Sequence, residues 1–145
     1  MASIGSKHRR QRRSGRKFIQ LWSNLKRSAA YHSLSLPARC ALVEILDRYT
    51  GCNNGAIGLG VRELADELRC SHGTAGRALK ELDDAGLARP QTVGAWRGKR
   101  ATEWRLTAYK CDVTGDLPVR DWPARESHVE SAKVSPRKRK SQKAQ

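Results

Sequence analysis

Three observations predict an α+β fold that is mostly helical, closes on a β-hairpin and carries disordered basic tails. Apolar residues recur at three- and four-residue intervals from Pro37 to Tyr49, from Val61 to Leu68 and from Ala75 to Leu82. Alternation every second residue replaces that spacing between Leu87 and Ala108. Before residue 17 and from Cys111 onward the apolar pattern is lost, and lysines and arginines dominate both ends.

Residues 1–16 (MASIGSKHRRQRRSGR) contain no hydrophobic pattern and read as a disordered basic arm. Phe18, Ile19, Leu21, Trp22 and Leu25, followed by Ala29, Ala30 and Tyr31, predict a short helix or a pair of helical turns lying on the domain. Ser35 is a helix cap and Pro37 fits the first turn of the helix it opens. Ala38, Ala41, Leu42, Ile45, Leu46 and Tyr49 then form one stripe, so residues 37–49 are predicted helical, with Glu44, Asp47 and Arg48 off the stripe. Thr50-Gly51 stops this helix, Asn53-Asn54-Gly55 is a turn cluster, and Ala56 to Leu59 fits a brief strand.

Val61, Leu64, Ala65 and Leu68 restore helical spacing. After Arg69-Cys70, Ser71 is the N-cap of a helix over 71–85 whose inward positions are Ala75, Ala78, Leu79 and Leu82, and Gly86 closes it. Two strands follow, Leu87–Val93 and Ala101–Ala108. Pro90 places the first at a sheet edge. In the second, Thr102, Trp104, Leu106 and Ala108 face inward against Glu103, Arg105 and Thr107. The loop between them, Gly94-Ala95-Trp96-Arg97-Gly98-Lys99-Arg100, is flanked by glycine and rich in cations. The predicted domain therefore spans 17–109. Residues 110–124 are expected to pack on it as coil through Leu117, Val119 and Trp122, and 125–145 to form a disordered basic tail.

The chain has 145 residues and a formal charge of +15, enough length for one core and enough positive charge to call for a polyanionic partner. Residues 1–17 hold seven bases and no acid, and residues 120–145 hold eight bases and three acids, which leaves +3 for the globular middle. The excess charge sits in the tails. No apolar run approaches the length of a membrane span, so no membrane partner is expected, and no secretory signal precedes Phe18. Cys40, Cys52, Cys70 and Cys111 include no C-x-x-C pair, which argues against zinc. They read as reduced cysteines, Cys40 and Cys70 partly buried. No cofactor, metal or small-molecule effector is expected. His8, His32, His72 and His128 are scattered and no phosphate-cradling glycine loop is present, so no enzyme is predicted.

Helix, short strand, helix, tight turn, helix and a hairpin with a basic tip is the order of a winged helix-turn-helix. Residues 59–86 (LGVRELADELRCSHGTAGRALKELDDAG) resemble the helix-turn-helix of bacterial winged-helix regulators, in which x-x-E-L-A-x-x-L precedes S-x-x-T-x-x-R-x-L-x-x-L-x-x-x-G. The stretch from Ser35 to Leu87, with Arg48-Tyr49 and Asn53-Asn54-Gly55, is also similar to the origin-binding domains of phage replication proteins of the lambda O type. These likenesses imply duplex-DNA binding by a bacterial or phage protein of the nucleoid-bearing cytoplasm, in transcription or in replication.

The residues point the same way without them. Helix 71–85 offers Ser71, His72, Gly73, Thr74, Gly76, Arg77 and Lys80 on the side away from its aliphatic stripe, and its acids lie in the second half. A helix enters the major groove through such a small, donor-rich leading face. Gly73 and Gly76 fit either a close backbone approach to DNA or a crowded contact with the preceding helix. Trp96, Arg97, Lys99 and Arg100 form the wing, able to reach phosphate or minor groove, although Trp96 equally fits beneath the hairpin. Arg9, Arg10, Arg12 and Arg13 suit a minor-groove arm, and Arg137 to Lys140 a less specific contact. An RNA- or ribosome-binding protein is the competing reading, and an adaptor without DNA binding a third. A single domain of this size rarely supplies a specific affinity alone, so a homodimer or cooperative binding at repeated half-sites is expected, with 18–31 as the candidate dimer surface by elimination.

Overall fold

The computed structural model describes residues 17–94 and 100–120. It is an α+β structure, mostly helical, with a small three-stranded antiparallel sheet. The five helices are α1 (Ser23–Arg27), α2 (Ala29–Ser33), α3 (Leu36–Arg48), α4 (Val61–Leu68) and α5 (His72–Asp84). The strands are β1 (Ile57–Gly58), β2 (Ala88–Thr92) and β3 (Glu103–Leu106), in the sheet order β1-β3-β2.

The segment after Phe18 forms two helical turns because Ser28 interrupts them. Its hydroxyl donates to the Leu25 carbonyl and accepts the Tyr31 amide, ending α1 and capping α2. Leu25 is buried, and Leu21, Trp22, Ala30 and Tyr31 pack against the core, so most of this segment's apolar surface is already covered by the chain's own domain. Phe18 and Ile19 stay exposed.

α3 starts where the cap pattern placed it, with the Ser35 hydroxyl accepting the Ala38 amide. Ala38, Ala41, Leu42, Ile45 and Leu46 are buried along one side, and this stripe meets Ala75, Ala78, Leu79 and Leu82 of α5 to make the centre of the core. The Glu81 carboxylate accepts the Ser35 amide at 2.9 Å, closing the α3 amino end from α5. At the other end Arg48 donates to Glu44 at 2.9 Å and to Glu63 at 3.1 Å, tying α3 to α4. Burial pulls the Arg48 pKa down, but the hydrogen bonds and charges of Glu44 and Glu63 outweigh it and hold the guanidinium above its ordinary value.

Leu106 and Trp104 face the core from β3, and Trp104 donates Nε1–H to the Leu59 carbonyl. Pro90 lies in β2, an edge strand, with a bulge before Thr92. Thr107 departs from the expected alternation. It is buried because β3 has ended and its hydroxyl donates to the Gly86 and Leu87 carbonyls.

Two further expectations need correction. Leu117 and Val119 remain exposed, so the segment after Cys111 docks through its backbone, with the Val119 amide donating to the Thr107 carbonyl, and through Arg105–Asp116. Trp122 lies outside the described residues. Cys40 is exposed on the outer side of α3, whereas Cys70 is half-buried and Cys111 buried.

Asn54 holds this carboxyl-terminal half in place. Fully buried, it receives the Leu106 amide on Oδ1 at 2.7 Å and directs Nδ2 to the carbonyls of Leu106, Tyr109 and Lys110. Its backbone amide donates to Asp112. One side chain thus supplies the partners that the end of β3 and the turn after it need.

Candidate nucleic-acid interface

α4 and α5 are joined by a three-residue turn, residues 69–71, whose geometry is set by Arg69, held at φ +50° in the left-handed region. The Cys70 amide donates to the Ala65 carbonyl and the Arg69 amide to Asp66, the paired bonds of a helix stop that usually employs glycine. Arginine there costs about 1–2 kcal/mol of backbone strain. Its side chain is exposed.

Ser71 caps α5 as its position implied. The hydroxyl accepts the Thr74 amide at 3.1 Å and also lies 2.9 Å from the Thr74 hydroxyl. Both hydroxyls are therefore engaged with the helix end as well as lying at its surface. On the side opposite the buried stripe, Ser71, His72, Gly73, Arg77 and Lys80 are exposed, and Thr74 and Gly76 are half-buried.

The two glycines are not required by packing. A β-carbon on Gly73 would meet only the Ser71 hydroxyl at 3.9 Å, and one on Gly76 only Val61 Cγ1 at 3.8 Å, both ordinary contacts. This removes the crowded-contact explanation for both positions.

The cations divide into two kinds. Among the described residues Arg77 makes one hydrogen bond, from Nε to the Gly73 carbonyl at 3.3 Å, and meets no carboxylate, so its remaining donors face solvent. Lys80 is bound to Asp84 at 2.7 Å on its own helix. The hydrogen bond and charge of Asp84 hold the ammonium above its ordinary pKa, and its positive charge is largely matched. Lys80 is thus a weaker candidate contact than its position alone suggested.

Of the wing residues, Arg100 is exposed and 3.9 Å from Glu103. Trp96, Arg97 and Lys99 lie outside the described residues, as do Arg9, Arg10, Arg12 and Arg13 of the arm. The residues next to the two tails, however, are described, and both segments pack on the domain. Lys17 pairs with Asp47 at 2.9 Å. The Trp22 indole donates to the Tyr109 hydroxyl, which donates to the Gln20 carbonyl. Arg120 stacks 4.9 Å from the Trp22 ring, and Asn24 donates to the Arg120 carbonyl. Gln20 and Arg120 are therefore held against the same Trp22–Tyr109 pair.

Sequence reasoning did not find Asn54, Arg48, Arg69 or Glu81 as organisers of this surface. Asn54, Glu81 and, through Glu63, Arg48 bond to residues far along the chain, and Arg69 acts through a backbone state that residue type does not announce. Among the described residues no group of three His, Cys, Asp or Glu side chains could hold a metal ion, and no helix is long and apolar enough to cross a membrane. Comparison with protein families, with characterised proteins and with solved structures finds no match for this chain.

Proposed function

We propose that this protein binds duplex DNA sequence-specifically as a winged helix-turn-helix regulator of bacterial or phage type. In this reading α5 enters the major groove, the 94–100 loop acts as the wing, and the basic arm clamps backbone or minor groove. The carrying observation is the solvent side of the first two turns of α5. It combines small residues with an arginine free of carboxylates, while the opposite side is anchored in the core. Backbone can approach a groove floor there, and a guanidinium can fork onto a guanine edge or grip a phosphate.

The placement of aromatic rings favours duplex over single-stranded RNA. Single-strand binders stack bases on exposed rings, yet Trp104 is buried and Trp22, Tyr49 and Tyr109 pack on one another. Phe18 is the one largely exposed aromatic side chain among the described residues.

Binding sites selected from a random duplex library supply the test ligand. Arg77→Ala then lowers affinity for the selected site by about 1–3 kcal/mol and blurs preference at one base pair, while binding to random duplex changes little. Equal losses on both would make Arg77 a phosphate contact. Failure to retard any duplex at low salt would overturn the reading.

A further inference from the structure

On most elements the apolar side chains turn into the core, but one face of α3 does not follow. Leu36 is 74% exposed, Val43 39%, and Cys40 between them is also exposed. They stand at i, i+4 and i+7 on the side of the helix opposite Ala38, Ala41, Leu42 and Ile45. At the amino end this line widens into an apolar groove of about 230 Å³ formed by Leu36, Pro37 and Cys40 with Leu68 and Cys70. Arg39 flanks the line on one side and Glu44 on the other.

We propose that this face is a homodimer interface, in which α3 pairs in parallel with α3 of a second copy about a two-fold axis along the helix. Alternating steps of four and three are the a/d spacing of a two-stranded helical seam, with Leu36 and Val43 at d and Cys40 at the a position between them. Arg39 then falls at g and Glu44 at the following e, the two positions that meet across a parallel pair. The two-fold axis makes each contact twice. An antiparallel pair would set arginine against arginine and glutamate against glutamate, so charge complementarity selects both the second copy as occupant and the parallel direction.

Both groups retain bonding capacity. Arg39 donates one Nη to the His32 carbonyl and lies 5.2 Å from the Tyr31 ring centroid; its Nε is buried, so the other Nη is the group left to meet a second copy. Glu44 binds Arg48 through Oε2, and its side chain stays partly exposed. Asp47, the next a position, would oppose its own copy, but Lys17 is already bound to it. The 13 residues of α3 span about 20 Å, less than a standard interface needs, so the dimer is weak and reversible.

The test uses the full chain without nucleic acid, so its failure leaves the DNA-binding proposal standing. Sedimentation velocity over a concentration series is expected to show a monomer–dimer equilibrium. Leu36→Asp or Val43→Glu should raise its dissociation constant by about tenfold or more. Arg39→Glu and Glu44→Arg should each weaken it, and the double reversal should restore it, which loss of the Glu44–Arg48 pair alone could not produce. Leu36 and Val43 are exposed and Arg39 and Glu44 half-buried, and circular dichroism checks that each variant folds. In a parallel seam the two Cys40 residues face each other within disulfide reach. Mild oxidation should therefore yield a covalent dimer that Cys40→Ser abolishes and Cys52→Ser does not. A chain that stays monomeric throughout with no Cys40 cross-link, or a dimer indifferent to Val43→Glu, would overturn the proposal.

Discussion

Asn54 and the first two turns of α5 use their polar atoms in opposite ways. Around Asn54 each donor and acceptor of the side chain has a partner inside the protein, reached across more than fifty residues of sequence. Around Gly73 and Arg77, donors point outward and side-chain bulk is missing where the packing would accept it. A buried polar group must be satisfied or it costs free energy, so the first region can be explained by stability alone. Small exposed residues and an uncommitted guanidinium add nothing to stability, and this contrast makes α5 the place to look for a ligand.

The largest effect should come from the satisfied region. Asn54→Ala strands the Leu106 amide and weakens the hold on the carbonyls of Leu106, Tyr109 and Lys110, for an expected loss of about 3 kcal/mol in denaturant unfolding. The folded fraction should keep its affinity for duplex DNA. A loss of binding without a loss of stability would mean that the two regions are not separate.

Arg69→Gly should act in the other direction, stabilising the protein by about 1–2 kcal/mol as the left-handed strain is relieved. If the exposed guanidinium also meets a phosphate, the same substitution reduces the salt slope of DNA binding by about one. A stability gain with an unaltered slope would assign Arg69 no part in the interface.

The glycines sharpen the contrast most directly. Gly73→Ala and Gly76→Ala fit the structure with contacts no closer than 3.8 Å, so each should stabilise the fold, by up to about 1 kcal/mol, in thermal or denaturant unfolding. Against a selected duplex the same variants should bind more weakly, because the added methyl occupies space that a close backbone approach needs. Stability rising while binding holds would remove close approach as the reason for glycine.

What could be read from the chain follows the range of the interactions. The spans of α3, α4 and α5, the Ser35 and Ser71 caps and the buried stripe of α5 depend on neighbours three or four residues away, and the structure places them where the spacing did. Pro90 at an edge is equally local. The exposure of Cys40, the burial of Thr107, the hub at Asn54 and the exposed Leu117 depend on contacts made only after the chain has closed on itself. For the candidate interface, residue type identified the exposed side of α5 but could not separate Arg77, which has no carboxylate partner, from Lys80, which has one.

That last distinction yields the smallest expected effect and a sharp one. Lys80 and Asp84 form an i,i+4 pair at the surface, in the orientation that places the base before the acid. Such pairs contribute little to folding and are screened by salt, so Lys80→Ala should leave the melting temperature almost unchanged. It should also leave duplex binding almost unchanged, since the ammonium's charge is already matched by its neighbour. Asp84→Asn is the informative partner. It removes the matching charge while retaining the shape, and it frees Lys80 on the same side of the helix as Arg77. If that side lies in a groove, affinity should rise and the slope of log affinity against log salt should steepen by about one as another phosphate contact forms. If the slope stays the same after Asp84→Asn, Lys80 lies beyond phosphate reach. The ligand would then be confined to the part of α5 before Lys80, where Arg77 and the two glycines stand.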